Sequence, residues 1–167
     1  MDHGLQAAEA AHPTAFTPIT IGTHAHLPVL PPARKLTKAG KTQIADEVAS
    51  IDCNATGAPR SFVNVPFLDL PHGDCFVADG KPATRSYIFG NIRHGRDVET
   101  RQGMLRDLSQ IWTRVTGQSE VDLMVSLFEV DPANAMEAGL ISPEPGSEQQ
   151  WFDHNRDRLT QLGWTTA

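Results

Sequence analysis

The sequence predicts an α/β fold, classed as α+β by some schemes, in which two consecutive β-α-β units form a four-stranded sheet with two helices on one face. Two stretches of helical periodicity each end in Thr-Gly and are flanked by strand-like apolar segments. Placing Thr56-Gly57 on Thr116-Gly117 aligns the two halves at a shift of about sixty residues. We therefore expect two copies of one unit, each pairing its strands in parallel through a right-handed crossover.

The first unit is expected over about residues 24–77. A short strand over 24–30 opens it, and a helix follows from Thr37, a residue type that caps helix N-termini well. Gly57 suits the left-handed conformation that ends many helices. The segment from 61 to 70 is predicted to be the second strand of this unit.

The second unit is expected over about residues 84–131. It has a predicted strand at 85–92, a helix at 97–116 and a strand at 121–130. The last strand carries apolar residues on both faces, although the two helices cover only one face of the sheet. The uncovered face must be buried elsewhere, and a symmetric oligomer is the simplest expectation.

The rest of the chain is expected to flank one domain. Residues 1–23 are predicted to be a flexible extension, residues 24–153 the folded domain and residues 154–167 a tail. Trp151-Phe152 offers an aromatic anchor for that tail, which is expected to be a loosely docked helix.

Composition excludes several classes of partner. The net charge of -6 argues against nucleic acid and anionic membranes, and no apolar run approaches the length of a membrane span. Cys53 and Cys75 are unclustered, and no residue spacing implies a metal ion or an organic cofactor. The N-terminus lacks the features of a secretory signal, so a cytoplasmic location is expected.

The turn between the second unit's first strand and its helix is the candidate binding site. Arg93 and Arg96 stand three apart around Gly95, a spacing that can aim two planar cations at one small anion, most naturally a carboxylate. For two arginines alone, a solvated basic turn is the alternative interpretation.

Several motifs in register resemble the tautomerase superfamily, most closely its branch around cis-3-chloroacrylic acid dehalogenase, which is related to 4-oxalocrotonate tautomerase. Besides the repeated units, they are Pro-His-Gly-Asp-Cys-Phe-Val at 71–77, Arg-His-Gly-Arg at 93–96, Pro-Ala-Asn-Ala-Met-Glu at 132–137, and Pro-Glu-Pro-Gly at 143–146 followed by Trp151-Phe152. The resemblance covers roughly residues 24–153.

The resemblance implies a homotrimer whose chemistry uses an amino-terminal proline as the base, arginines that hold a substrate carboxylate, and a glutamate that activates water. Arg93 and Arg96 match the two carboxylate-binding arginines, and Glu137 matches the water-activating glutamate. For Glu137, a solvent-facing acid on a short helix is the alternative.

Three positions depart from the family pattern. The family's first-helix histidine falls at Asp52, and the branch's last-strand tyrosine falls at Ser126. Asp52 is either a second proton-transferring group or an ordinary polar residue near a helix end. Ser126, matched to a substrate-contacting position, is too short to reach as far as tyrosine.

The third departure is the base. The family's first residue falls at Ala25, and the nearest prolines are Pro28 and Pro18. A proline inside a chain has an amide nitrogen, which is not basic, so Pro28 is a candidate catalytic base only if the chain is trimmed before it, and an ordinary strand-edge proline is the alternative.

The expected function is therefore action on a small carboxylate, either enol–keto tautomerisation or hydration or dehalogenation of an unsaturated acid. The alternative is a non-catalytic trimer that binds small acids or serves in assembly. A third hypothesis is that the first twenty-odd residues are removed or never made, which would expose a proline amine.

Overall fold

The computed structural model describes residues 29–30, 36–69, 74–76, 78–81 and 85–164. Its helices are α1 (Lys38–Thr56), α2 (Val98–Thr116) and α3 (Glu148–Gln161). Its strands are β1 (Val29–Leu30), β2 (Ser86–Arg93), β3 (Leu123–Val130), β4 (Met136–Glu137) and β5 (Leu140–Ile141).

The internal repeat is present in the structure, where α1 and α2 each have 19 residues. Thr37 caps α1 by accepting a hydrogen bond from the backbone N–H of Gly40, and Asp97 caps α2 in the same way. Gly57 and Gly117 end the two helices with φ values of 72° and 71°. A 3-10 turn follows each helix, at Arg60–Phe62 and Glu120–Asp122.

The predicted second unit forms as expected, because β2 and β3 pair in parallel on either side of α2 in the sequence. The register runs from Ser86 beside Leu123 to Arg93 beside Val130. The short strand β1 pairs antiparallel with β2 on its other edge. Within the described ranges, the main sheet therefore has the order β1-β2-β3.

The first unit differs from the expected strand-helix-strand. The predicted four-stranded sheet has three strands in the described residues, because residues 61–69 of the predicted strand at 61–70 do not form a regular strand. The segment continues from the 3-10 turn into single bridge residues at Asn64 and Phe67. Pro66 lies between them and has no N–H to donate, which interrupts a ladder and confines such a segment to an edge.

The hydrophobic core lies between the helix pair and one face of the sheet. Alternate residues of β2, such as Ile88 and Ile92, are buried, as the period of two in a strand requires. One cluster joins both helices to the sheet, and it comprises Ile44, Val48, Ile88, Leu108, Ile111 and Trp112.

The opposite face of the sheet carries aromatic and apolar side chains, and no helix of the described residues covers it. Phe89 lies 5.9 Å from Tyr87 and 6.1 Å from Phe128 between ring centroids. Phe128 and Met124 are 52% and 48% exposed, which is high for large apolar residues on a sheet. This uncovered face is the surface that the sequence predicted.

The helix α3 docks through aromatic contacts. Phe62 lies 6.3 Å from Trp151 and 5.7 Å from Phe152 between ring centroids, and Leu159 is buried. The predicted aromatic anchor is thus present, and α3 runs across the expected start of the tail at residue 154. The division into extension, domain and tail stays a prediction. Among the helices in the described ranges, none has both the length and the apolar character that a membrane-spanning segment needs.

Replacing Trp112 with alanine tests the core. Trp112 is fully buried, and its indole N–H donates to Gln118 at 2.6 Å. We expect Trp112→Ala to lower the free energy of unfolding by about 3–5 kcal/mol, measured by urea denaturation. Val121→Ala is the control, because Val121 is 78% exposed. Equal effects of the two substitutions would contradict this description of the core.

Candidate active site

The turn after β2 is fixed by a close approach that only glycine permits. Gly95 has a φ of 103°, and a Cβ built on it would lie 2.8 Å from Cγ of Pro145. Its backbone N–H donates to Glu129 on β3 at 3.3 Å. The Arg-His-Gly-Arg turn and the Pro-Glu-Pro-Gly segment therefore pack directly on each other, which holds the two arginines in place.

Arg93, the last residue of β2, is 8% exposed. Its Nη1 donates to the carbonyl oxygen of Pro143 at 3.0 Å, and its Nη2 lies 3.1 Å from Oε1 of Glu148. Burial lowers the pKa of the Arg93 guanidinium, and the charge of Glu148 opposes that shift. Arg93 is thus a buried cation already paired with a carboxylate from α3.

Arg96 reaches the other side of the turn, to the C-terminal end of α1. Its Nη2 donates to the carbonyl oxygen of Thr56 at 2.9 Å, which satisfies one of the carbonyl groups left open where a helix ends. The Nε of Arg96 is buried and has no hydrogen-bond partner among the described residues. A buried guanidinium donor of this kind is suited to receive an anion.

Asp52 lies on the last turns of α1 and is 4% exposed. Burial raises the pKa of its carboxyl group from 3.8 to about 6. A contact with the Thr56 hydroxyl and the charges of Arg96 and Arg93 partly oppose the shift. Asp52 therefore changes protonation close to neutral pH, beside both arginines.

Glu137 enters the site from the β4–β5 hairpin. It lines the same narrow cleft as Arg93 and Glu148, with walls formed by Phe62, Trp151 and Phe152. The hairpin turn is held to α3 because Arg158 donates to the carbonyl oxygen of Ala138 at 3.0 and 2.6 Å.

The structure brings four of the predicted site residues into one region, and these are Arg93, Arg96, Asp52 and Glu137. Ser126 lies elsewhere in the fold, in the middle of β3 and beside Phe89 of β2. It is four residues from the strand position beside Arg93, or about 13 Å along a parallel strand.

The structure does not describe the residues that the sequence offered for the family's proline base. Pro28, Pro18 and Ala25 all lie outside the described residues. The match of Ala25 to the family's first residue, and Pro28 or Pro18 as the base, therefore stay predictions from the sequence.

Glu148 and Thr56 are the site residues that the sequence did not indicate. Glu148 is the first residue of α3, and an acid in a first helical turn is so common that it carries no functional signal. Thr56 contributes a backbone carbonyl oxygen, which the type of side chain cannot reveal.

A comparison with protein families gives one match. Residues 29–156 match the family described as "Putative oxalocrotonate tautomerase enzyme". The match spans most of the chain and includes the four residues gathered in the site. No curated protein matches the sequence significantly.

Solved structures share the fold. The structure of N1, a member of the cis-3-chloroacrylic acid dehalogenase family, has a TM-score of 0.72 and 26% identity, over 82% of this chain and 99% of that one. Pt0534 inactivated by 2-oxo-3-pentynoate has a TM-score of 0.62 and 27% identity, over 71% and 94%. A symmetric trimer of fused 4-OT has a TM-score of 0.63 and 22% identity, over 70% and 94%.

The raised pKa of Asp52 makes stability depend on pH. The unfolded chain loses the Asp52 proton near pH 3.8 and the folded chain near pH 6, so the folded state holds the proton more tightly. The contribution of Asp52 to the free energy of unfolding is fully present below pH 3.8, falls as pH rises, and is lost above about pH 6. The free energy of unfolding of the wild type is expected to fall by about 3 kcal/mol between these two pH values. We expect Asp52→Asn to remove that fall, measured by urea unfolding.

Asp107→Asn is the matched control, because Asp107 lies on the exposed face of α2. A wild-type stability that does not fall between these two pH values, relative to Asp52→Asn, would contradict the buried position of Asp52.

Proposed function

This chain belongs to the tautomerase superfamily, in its cis-3-chloroacrylic acid dehalogenase-like branch, and from that premise we propose that it binds a small carboxylate at Arg93 and Arg96. The reaction we propose is enol–keto tautomerisation of a small acid, or hydration or dehalogenation of an unsaturated one. Both reactions develop negative charge next to a carboxylate, which two guanidinium groups can stabilise.

The buried Nε of Arg96 is the observation that carries this proposal. A charged donor group that is buried without a partner is costly, and an anionic ligand would supply the missing acceptor. Arg93 lies close enough to Arg96 for each charge to act on the other. The pair supports recognition of a planar carboxylate.

Asp52 and Glu137 are the proposed proton-transferring groups. An acid whose pKa is about 6 can both accept and donate a proton near neutral pH, and Asp52 has that property beside the arginines. Glu137 lines the cleft and would activate water or move a second proton.

Ser126 and Pro28 would each act only under a further condition. Ser126 lies on the uncovered sheet face, so it would reach a substrate only from a neighbouring subunit. Pro28 has an amide nitrogen whenever residue 27 precedes it, and it would act as a base only after removal of the preceding residues.

We propose a homotrimer as the working form. Phe128, Met124 and Phe89 on the uncovered face support an apolar interface between subunits. A fused 4-OT of the same fold is a symmetric trimer.

A non-catalytic trimer that binds small acids is the second candidate. The Glu148 carboxylate on Arg93 favours it, because a site already partly neutralised stabilises an enolate less strongly. This candidate predicts that small carboxylates raise the melting temperature while no substrate is turned over.

Removing Arg96 tests the proposed chemistry. We expect the wild type to ketonise an arylpyruvate enol or to hydrate a short acetylenic acid, and Arg96→Ala to lower kcat/KM by at least about 100-fold because the developing charge loses its donor. Absorbance assays measure both reactions. Arg106→Ala is the control, since Arg106 is exposed on α2. The proposal fails if wild type and Arg96→Ala give the same background rate.

Charging the uncovered sheet face tests the assembly. We expect the wild type to sediment as a trimer and Phe128→Lys as a monomer, because an unpaired charge in an apolar interface costs several kcal/mol. Leu162→Lys is the control, since Leu162 is 46% exposed and lies at the end of α3, not on the sheet. A monomeric wild type at micromolar concentration, or a trimeric Phe128→Lys, would be inconsistent with the proposed interface.

A further inference from the structure

The contact between Arg93 and Glu148 places a carboxylate where a ligand carboxylate would bind. Oε1 of Glu148 lies 3.1 Å from Nη2 of Arg93, and the two side chains are 30% and 8% exposed. A carboxylate held by a buried guanidinium has the same geometry and charge as a bound small acid. Glu148 thus takes one of the donor sites that the proposed function assigns to the ligand.

Glu148 is held in this position by the packing of α3. It is the first residue of that helix, where the helix dipole stabilises negative charge. One turn later, the indole N–H of Trp151 donates to the carbonyl oxygen of Ile141 at 2.8 Å. Phe152 packs edge-on against Phe62. The side chain is therefore a built part of the cleft and not a mobile surface acid.

The charges gathered around the cleft limit how much negative charge a ligand can bring. Arg93 and Arg96 supply two positive charges, against the carboxyl groups of Asp52, Glu137 and Glu148. Glu148 neutralises Arg93, which leaves Arg96 to receive the ligand. A second carboxylate on the ligand would face Glu137 and Glu148 with no further cation among these residues to balance it, and like charges repel each other.

We infer, on the basis of the proposed function, that Glu148 is a specificity-determining residue that makes the site select monocarboxylates over dicarboxylates. It acts by holding Arg93 and by repelling a second ligand carboxylate. Arg96 then anchors the single carboxylate of the ligand. The chemical class of ligand is a short acid with one carboxylate and an uncharged remainder that lies in the cleft lined by Phe62 and Trp151.

Replacing Glu148 with glutamine tests this role, because the amide keeps the shape and an acceptor oxygen for Arg93 but removes the charge. Acrylate and maleate are the probes, since they differ by one carboxylate. Their dissociation constants are measured by calorimetry at neutral pH with the full chain. We expect Glu148→Gln to strengthen maleate binding about tenfold and acrylate binding by no more than about threefold.

Two control variants separate charge from structure. Glu144→Gln makes the same chemical change at an exposed position of the neighbouring loop and is expected to match the wild type. Arg96→Ala is expected to abolish acrylate binding in the presence of Glu148. Circular dichroism confirms that each variant is folded.

The possible results distinguish this inference from the proposed function. Weaker binding of both acids by Glu148→Gln would show that Glu148 only positions Arg93, and unchanged binding would show that it does not face the ligand. Either result overturns the inference while acrylate binding that needs Arg96 upholds the proposed function. If neither acid binds to the wild type or to any variant, the proposed function fails and the inference fails with it.

Discussion

The hydrogen bonds and the ion pair of the buried Arg93 guanidinium hold together the elements that form the candidate site. The Arg93 guanidinium group joins the end of β2 to the loop carbonyl of Pro143 and to the first residue of α3. Arg96, three residues on, ties the same turn to the last carbonyl group of α1. The cost of taking two cations out of water is offset only while these elements stay together, so the candidate site and the packing around it depend on each other.

The same cluster explains the protonation chemistry of the site. The sequence resemblance predicts a histidine of the family pattern at the position of Asp52, and burial gives the Asp52 carboxyl group a pKa of about 6, close to that of an unperturbed histidine. The two groups still differ, because histidine gains positive charge on protonation and Asp52 loses negative charge. A ligand carboxylate therefore meets a neutral group only when Asp52 is protonated, which links ligand binding to proton uptake in the proposed function.

Periodicity and capping residues were enough to predict the repeat, because Thr37, Gly57 and Gly117 act through local backbone geometry. The prediction of a regular strand at 61–70 was wrong for the described residues 61–69. It rested on the apolar pattern of this segment and did not take into account that Pro66 has no N–H to donate to a ladder. Arg93 and Arg96 were predicted from their spacing and by resemblance, Asp52 and Glu137 by resemblance, and the structure places the four in one region. Glu148 was not predicted, because its contact with Arg93 comes from the tertiary docking of α3, which leaves no local signal in the sequence.

The central claim is that Arg93 and Arg96 form a carboxylate site in which Nε of Arg96 donates to the ligand. A crystal structure of the full chain grown with acrylate tests that claim most directly. The account predicts one carboxylate oxygen within hydrogen-bond distance of Nε of Arg96, with the rest of the ligand in the cleft beside Glu137 and Trp151. Acrylate bound away from Arg96, or no acrylate at Arg93 and Arg96 in crystals grown at a saturating concentration, would contradict this claim.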